Sequence, residues 1–396
     1  MRVNKNDIIT RRMIAQVLKK TLLPLTGFIL ILISISTGTI ATLALKTYPE
    51  IFLPSGIIML VYSILRISYY KTKTRWIHKS NKPQEISLAL IDYLKAFICW
   101  IDSFRRTYAL EPGLYYTGAQ FESNSPLIVT ANYHLTIFML LRRLRGINVN
   151  LLVIDTDGIN VWCAAGKGRF SNSEIQKQIS RFTQYLNPKD EKIEIIIPKL
   201  AFSGVNLKDL RNANVKPVIG PIHAHEIPAF LKNPTGNHNN QYRVHFTFPE
   251  RFFTWLPGLM QYLYYSLLVF LFLWIIELVW GIQAPRIIIP LVAFMATAYP
   301  LLFPWIPGSL FATKGLTLAF VTSIGYILAA LTGLVPLPSI LPFIPFIFAS
   351  GLFIALSYTG NSAVSNYTKV RKEIATFLIP TVGLFLASMV LFLWAY

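Results

Sequence analysis

The run Ile159-Asn160-Val161-Trp162-Cys163-Ala164-Ala165-Gly166-Lys167-Gly168 follows directly on Asp155-Thr156-Asp157-Gly158. Asn is a strong helix N-cap, so a short helix is expected to begin after Asn160, with Cys163 in its first turn. There the unpaired amides and the helix dipole favour a thiolate, the form that binds metals. Lys167 shares the helical face of Cys163 and adds to that effect. Ala164, Ala165, Gly166 and Gly168 are small, leaving room for a large flat ligand near the backbone, and Trp162 offers an aromatic surface. These residues alone leave two readings open. A lone Cys among apolar neighbours is usually an inert core thiol; at a helix start it is a metal ligand. A Gly-rich loop between strand and helix also suits a phosphate, but neither G-x-G-x-x-G nor P-loop spacing occurs here. Nucleophilic catalysis would require a partnered His, which the sequence does not place.

Other chemistry is sparse. The chain has two cysteines, Cys99 and Cys163, and six histidines. A [4Fe–4S] cluster takes about four thiolates, so any electrons must come from a partner. His223-Ala224-His225-Glu226 puts two imidazoles on one face if extended, but without further ligand spacing it reads as a strand-to-helix loop.

The elements that must position Cys163 lie between about 114 and 235, the soluble part of the chain. PLIVTA (126–131), NLLVIDT (150–156), IEIIIP (193–198) and KPVIGPI (216–222) are strand-like. Helix-like runs alternate with them, including LTIFMLLRRLR and the stretch through Ile175, Ile179, Phe182 and Leu186. Continuous β-branched runs indicate strands buried on both faces, in a mostly parallel sheet wrapped by helices. Ligands of such sheets sit at the carboxyl ends of the strands. The Cys163 loop is at such an end, as are Thr130, Asn132 and Thr156, which are turn formers or hydrogen-bonding groups for a ligand.

The remainder of the chain is apolar. It has 396 residues, a formal net charge of +19, 14% charged residues and 54% hydrophobic ones; a soluble domain averages about 25% charged. Residues 21–45 carry no charge, which is long enough for an uncleaved span, and 51–70 form a second span with Arg66 snorkelling near its end. Basic residues flank this hairpin, placing both its ends in the cytoplasm. Beyond Arg251 there are seven charged residues in 145, and the uncharged runs read as spans at about 258–280, 287–305, 315–334, 339–358 and 374–395. The expected organisation is a two-span hairpin (1–78), a connector (79–113), a cytoplasmic α/β Rossmann-like domain (114–235), an interfacial linker (236–257) and a five-span α-helical transmembrane domain (258–396). The whole is expected as a multi-pass protein of the cell membrane. The basic excess then serves orientation and contact with membrane lipid; no module accompanies it that would suggest nucleic acid.

NVWCAAGKG resembles the cap-helix motif of the mercury-methylating corrinoid protein family, which is related to the corrinoid subunit of acetyl-CoA decarbonylase/synthase. PGLYYTG (112–118), SPLIVTANY (125–133), LLVIDTDGINVWCAAGKG (151–168), IIIPKL (195–200), GPIHAHEIPAFL (220–231) and YTGNSAVSNYTKVRKEI (358–374) follow the family's order and spacing. The resemblance covers roughly 110–396 and leaves out the N-terminal hairpin. It implies a cobalamin-type corrinoid whose cobalt takes Cys163 as lower axial ligand, held along Asn160–Gly168 with Thr130, Asn132 and Thr156 at its periphery. It implies corrinoid-dependent transfer of a methyl group to mercury(II) in an anaerobic setting. A small ferredoxin with two [4Fe–4S] clusters would donate electrons, and a methyl donor protein or methyl-folate-type source the methyl. The chain departs from the family at Arg169-Phe170-Ser171-Asn172, where Thr-Phe-Gly-Thr is more usual, and at His134, where Lys is expected. Two other readings are a methyl carrier of acetyl-CoA-type one-carbon metabolism and a non-enzymatic membrane sensor or transporter. The large subunits of the former carry a cluster-binding domain and a barrel of about 250 residues, for which this soluble segment is too short and too poor in cysteine.

Overall fold

The computed structural model describes residues 81–101, 109–186, 192–234, 244–280, 287–360, 362, 364–365 and 367–395. The expected hairpin spans at 21–45 and 51–70 lie outside the described residues. The chain divides into Met1–Lys73 and Thr74–Tyr396, and every described residue belongs to the second unit.

The sheet-containing part runs β1 (Gln84–Glu85), α1 (Leu90–Ile101), β2 (Gly113–Tyr116), β3 (Leu127–Ala131), α2 (His134–Arg143), β4 (Asn150–Ile154), α3 (Val161–Gly166), α4 (Asn172–Arg181), α5 (Thr183–Leu186), β5 (Ile193–Pro198), α6 (Leu207–Asn212), β6 (Val215–Gly220) and α7 (Ile227–Lys232). The strands form one six-stranded sheet in the order β1-β2-β4-β3-β5-β6. Strands β3, β4, β5 and β6 are mutually parallel, with Val129 opposite Leu152, Ile128 opposite Ile196 and Ile196 opposite Val218. Strand β2 runs antiparallel to β4. Thus the sheet is mostly parallel, and it reaches upstream of residue 114 to take in β1 and Gly113.

Every residue of β3 and β4 is buried, as expected of apolar strands covered on both faces. Leu114, Val129, Leu152 and Ile195 pack on one side with Ile175 and Phe182. Ile128, Leu151, Val153 and Ile196 pack on the other with Ile137, Leu141 and Phe230. The carboxyl ends of the four parallel strands therefore share one edge, and the α3 loop leaves from it.

Five long apolar helices follow: α8 (Phe248–Trp280), α9 (Ile288–Leu302), α10 (Phe311–Leu331), α11 (Ile340–Thr359) and α12 (Tyr367–Ala395). By length and composition, three segments can cross a membrane: Phe311–Leu331, Leu337–Thr359 and Thr368–Ala395. Helix α9 is apolar but has 15 residues, where an upright crossing takes about 20. Gly315 and Gly351 let α10 and α11 touch: a Cβ on Gly315 would stand 2.5 Å from the Gly351 carbonyl oxygen, the close approach that small residues permit between membrane helices. The Glu373 carboxylate of α12 accepts from the Phe311 and Ala312 amides at 3.2 and 2.8 Å, capping α10. Among the described residues, contacts at two places join the sheet part to α8. Trp100 stacks on Phe253 and donates its indole N–H to the Phe253 carbonyl at 2.7 Å, and His223 Nε2 lies 3.3 Å from Glu250 Oε1.

Candidate functional site

Asn160 caps α3. Its backbone is extended, and its side-chain oxygen accepts the Cys163 N–H at 2.8 Å. Cys163 is thus the third residue of the helix, in the turn whose amides have no helical partner. Val161, Ala164 and Ala165 face inward and join the core on one side of the sheet. Trp162, Cys163 and Gly166 are half-buried, while Lys167 and Gly168 are exposed. Smallness at Ala164 and Ala165 is therefore used on the core side, seating the helix against the sheet. Gly168, with φ of 66°, lets the chain leave α3 in the left-handed conformation that ends many helices.

The loop before the helix is tied to β3 through Asn132. This buried side chain has its oxygen 2.9 Å from the Thr156 amide, 3.0 Å from the Gly158 amide and 2.8 Å from the Thr156 hydroxyl. Its NH2 donates to the Leu110 carbonyl and to Asp155 Oδ1, each at 3.1 Å. Asp157 and Gly158 are both left-handed, with φ of 57° and 66°. At Gly158 a Cβ would also crowd Ala109 at 3.1 Å. Asn132 and Thr156 thus spend their hydrogen bonds inside the protein, holding the loop that presents Cys163.

The electrostatics differ from the sequence expectation. Burial pushes the Cys163 thiol above its ordinary value; Lys167 and a hydrogen bond from the Asn160 side chain to the sulfur pull it down without overcoming burial. The helix start and the lysine favour a thiolate as expected, but the desolvation of a largely enclosed sulfur is the larger effect. In the absence of a metal the side chain is therefore a neutral thiol at pH 7.

Two supports of this helix carry no signal in the local sequence. Gly204 lies after β5 with no room for a side chain: a Cβ would fall 2.2 Å from the Phe170 carbonyl oxygen and 3.0 Å from the Ala165 Cα. Phe170 is fully buried beneath it. The departures from the family pattern have local roles. Arg169 pairs with Asp157 at 3.2 Å. Ser171 caps α4, accepting the Glu174 amide at 3.4 Å, and Asn172 exchanges hydrogen bonds with the Asn206 backbone at 2.8 and 3.0 Å. His134 opens α2 fully buried, 3.7 Å from Asp92 Oδ1.

Thr130 is not brought to the site. Strand alternation puts it on the face of Ile128, opposite the face on which α3 packs, and its buried hydroxyl has no hydrogen-bond partner among the described residues. His223 and His225 stack on each other at 5.3 Å, and Glu226 accepts from the His223 amide. Among the described residues, no group of three or more His, Cys, Asp or Glu is placed to hold a metal ion.

The segment that holds the sheet and α3 is similar to known proteins. Residues 96–231 match the family model of the CO dehydrogenase/acetyl-CoA synthase delta subunit. The gamma subunit of the acetyl-CoA decarbonylase/synthase complex of Methanopyrus kandleri is 30% identical over 146 residues, 36% of this chain and 31% of that protein. The gamma 1 subunit of Methanosarcina thermophila is 29% identical over 132 residues, 32% of this chain and 27% of that protein. The gamma subunit of Methanocaldococcus jannaschii is 38% identical over 101 residues, 25% of this chain and 20% of that protein. The chain spans less than a third of the length of these curated relatives. None of their names refers to mercury.

Proposed function

We propose that this chain is a membrane-anchored, corrinoid-dependent methyltransferase that delivers a methyl group to mercury(II), forming methylmercury. The observation that carries the reading is Cys163, half-buried in the first turn of an Asn-capped helix at the carboxyl edge of a parallel sheet.

The residues at this edge fit a corrinoid. A metal already held in a macrocycle would need few ligands from the protein, and the site offers the single thiol of Cys163. Cobalt would replace the Cys163 proton, which makes binding release a proton. Lys167 and the α3 amides then stabilise the sulfur's negative charge, and burial strengthens its attraction to the metal. Trp162 and Gly166, half-buried beside Cys163, and exposed Gly168 give a flat ring a surface without long side chains. When bound, a corrinoid would supply the carbon-transfer chemistry, and the Cys163 sulfur would hold its metal and donate electron density to it, as an electrophilic acceptor requires. Asn132, Thr156 and Gly204 would hold α3 and its loop in place around such a group.

In this reading α8–α12 and the N-terminal hairpin anchor the chain in the cell membrane, with the sheet domain on the cytoplasmic side. A ferredoxin with two [4Fe–4S] clusters supplies electrons, and a methyl donor protein or methyl-folate-type compound supplies the methyl.

One observation favours a second reading. The similar proteins are acetyl-CoA decarbonylase/synthase subunits, which suits a membrane-bound methyl carrier of one-carbon metabolism. Membranes holding the full chain, supplied with reduced ferredoxin, a methyl donor and mercury(II), separate the two. Methylmercury that appears with the native chain and disappears with Cys163→Ala supports the first. Methyl loading without any methylmercury rejects mercury as the acceptor and leaves the carrier reading standing.

A further inference from the structure

Helix α1 is amphipathic in the wrong sense for water. Its inner face holds Asp92, Lys95, Ala96 and Cys99, and Asp92 is the residue that meets buried His134 of α2. Its outer face carries Leu90, Ile91, Leu94 and Phe97, which are 88%, 43%, 52% and 50% exposed. Four large apolar side chains side by side on one helix face, with the charges turned inward, mark a surface that meets something apolar.

The surroundings say what that is. At its C-terminal end α1 is joined to the first turns of α8 by Trp100, through the stacking and the hydrogen bond to Phe253. Phe248, Phe252 and Phe253 of α8 are themselves exposed, so the apolar face of α1 runs on into the outer surface of the helical bundle. One exposed arginine touches α1, and two more end α2, which packs against it. Arg142 and Arg143 end α2. Arg145 donates to the Tyr93 hydroxyl and lies 5.9 Å over the Tyr93 ring, holding its charge against the flank of α1. An apolar stripe bordered by arginine and a partly buried Trp is the pattern of a helix lying in a membrane interface. A bilayer that encloses the bundle and reaches the first turns of α8 would meet the apolar face of α1 as one surface with them.

We propose that α1 is an in-plane membrane helix, with Leu90, Ile91, Leu94 and Phe97 in the acyl-chain boundary of an anionic leaflet and Arg142, Arg143 and Arg145 among its headgroups. The helix would fix the tilt of the sheet on the bilayer. Through Asp92 and His134, it is tied to the end of β3, where Asn132 holds the Cys163 loop. The proposal rests on the membrane anchoring proposed above and is independent of the corrinoid.

The test is photocrosslinking of the full chain in vesicles of phosphatidylethanolamine and phosphatidylglycerol. Benzoylphenylalanine replaces Leu94 or Phe97 in turn, Leu386 on the exposed face of α12 as a bilayer reference, or Lys177 on exposed α4 as a water reference. All four positions are at the surface, so the variants should fold. Lipid adducts at 94 and 97 approaching the yield at 386, and at least about fivefold above that at 177, are expected for an interfacial helix. Adducts at 386 but only background at 94 and 97 would overturn the proposal. So would crosslinks from 94 or 97 to the chain's own apolar segment 51–70 in place of lipid. Background at 386 as well would reject the membrane anchoring itself.

Discussion

The Asn160 side-chain oxygen and the Cys163 amide nitrogen are 2.8 Å apart, and this bond both starts the cap helix and places the thiol within it. Replacing Asn160 with Ala should cost about 0.5–2 kcal/mol of stability and raise the thiol's pKa further, because a separate hydrogen bond from the Asn160 side chain to the sulfur is one of the two influences that lower it. Asn160→Ser should retain most of the stability. Thermal unfolding of the purified chain and thiol alkylation rates check the two effects separately.

Asn132 is the loop's internal partner. Asn132→Ala would strip acceptors from the buried amides of Thr156 and Gly158, at about 1–3 kcal/mol for each group left unsatisfied. We expect a lower unfolding temperature together with weaker corrinoid retention. Thr130→Val, on the other sheet face, should leave retention unchanged and hold or raise stability, since its hydroxyl is buried without a described partner. A loss of retention in Thr130→Val equal to that in Asn132→Ala would refute the placement of Thr130 away from the site.

Gly204 tests packing. Gly204→Ala places a methyl group on the Phe170 carbonyl and the Ala165 backbone, and overpacking of this kind costs about 1–3 kcal/mol. Because those atoms belong to the cap helix and its exit, corrinoid uptake should fall along with stability. At Gly168 no atom lies within 4 Å of an added Cβ, so Gly168→Ala meets only its left-handed backbone, at about 1 kcal/mol, and should be the milder change.

The Cys163 thiol sets a pH dependence. Its pKa is raised in the folded chain above the ordinary 9.0, so folding favours the protonated form. The associated stability is full below the unfolded thiol's pKa and is lost as pH rises through the higher folded value. Alkylation of the corrinoid-free chain should be slow at pH 7 and climb steeply above pH 9. Lys167→Ala should shift that climb upward. A fast reaction at pH 7 would contradict the dominance of burial.

Much of this arrangement is legible in the residues themselves. The strands at 127–131, 150–154, 193–198 and 215–220 follow from buried β-branched runs, and the cap at Asn160 follows from side-chain chemistry that operates within three residues. Strand β2 is different: Gly113-Leu114-Tyr115-Tyr116 is short and not β-branched, and its antiparallel place beside β4 is decided by tertiary pairing. The Cys163 thiol shows the same limit. Local features, the helix start and Lys167, point toward thiolate; burial, which only the folded core creates, points the other way and wins. Gly204 owes its role to a contact with Phe170 and Ala165 far away in sequence, which no local pattern announces.

The central claim is that Cys163 ligates the cobalt of a bound corrinoid, and the most direct measurement is the absorption and electron-spin spectrum of the purified full chain loaded with cobalamin. Stoichiometric cobalt with a sulfur-ligated signature is expected in the native protein and is expected to be lost in a folded Cys163→Ala variant. A native chain that binds no corrinoid, or an identical spectrum in the two proteins, would contradict it.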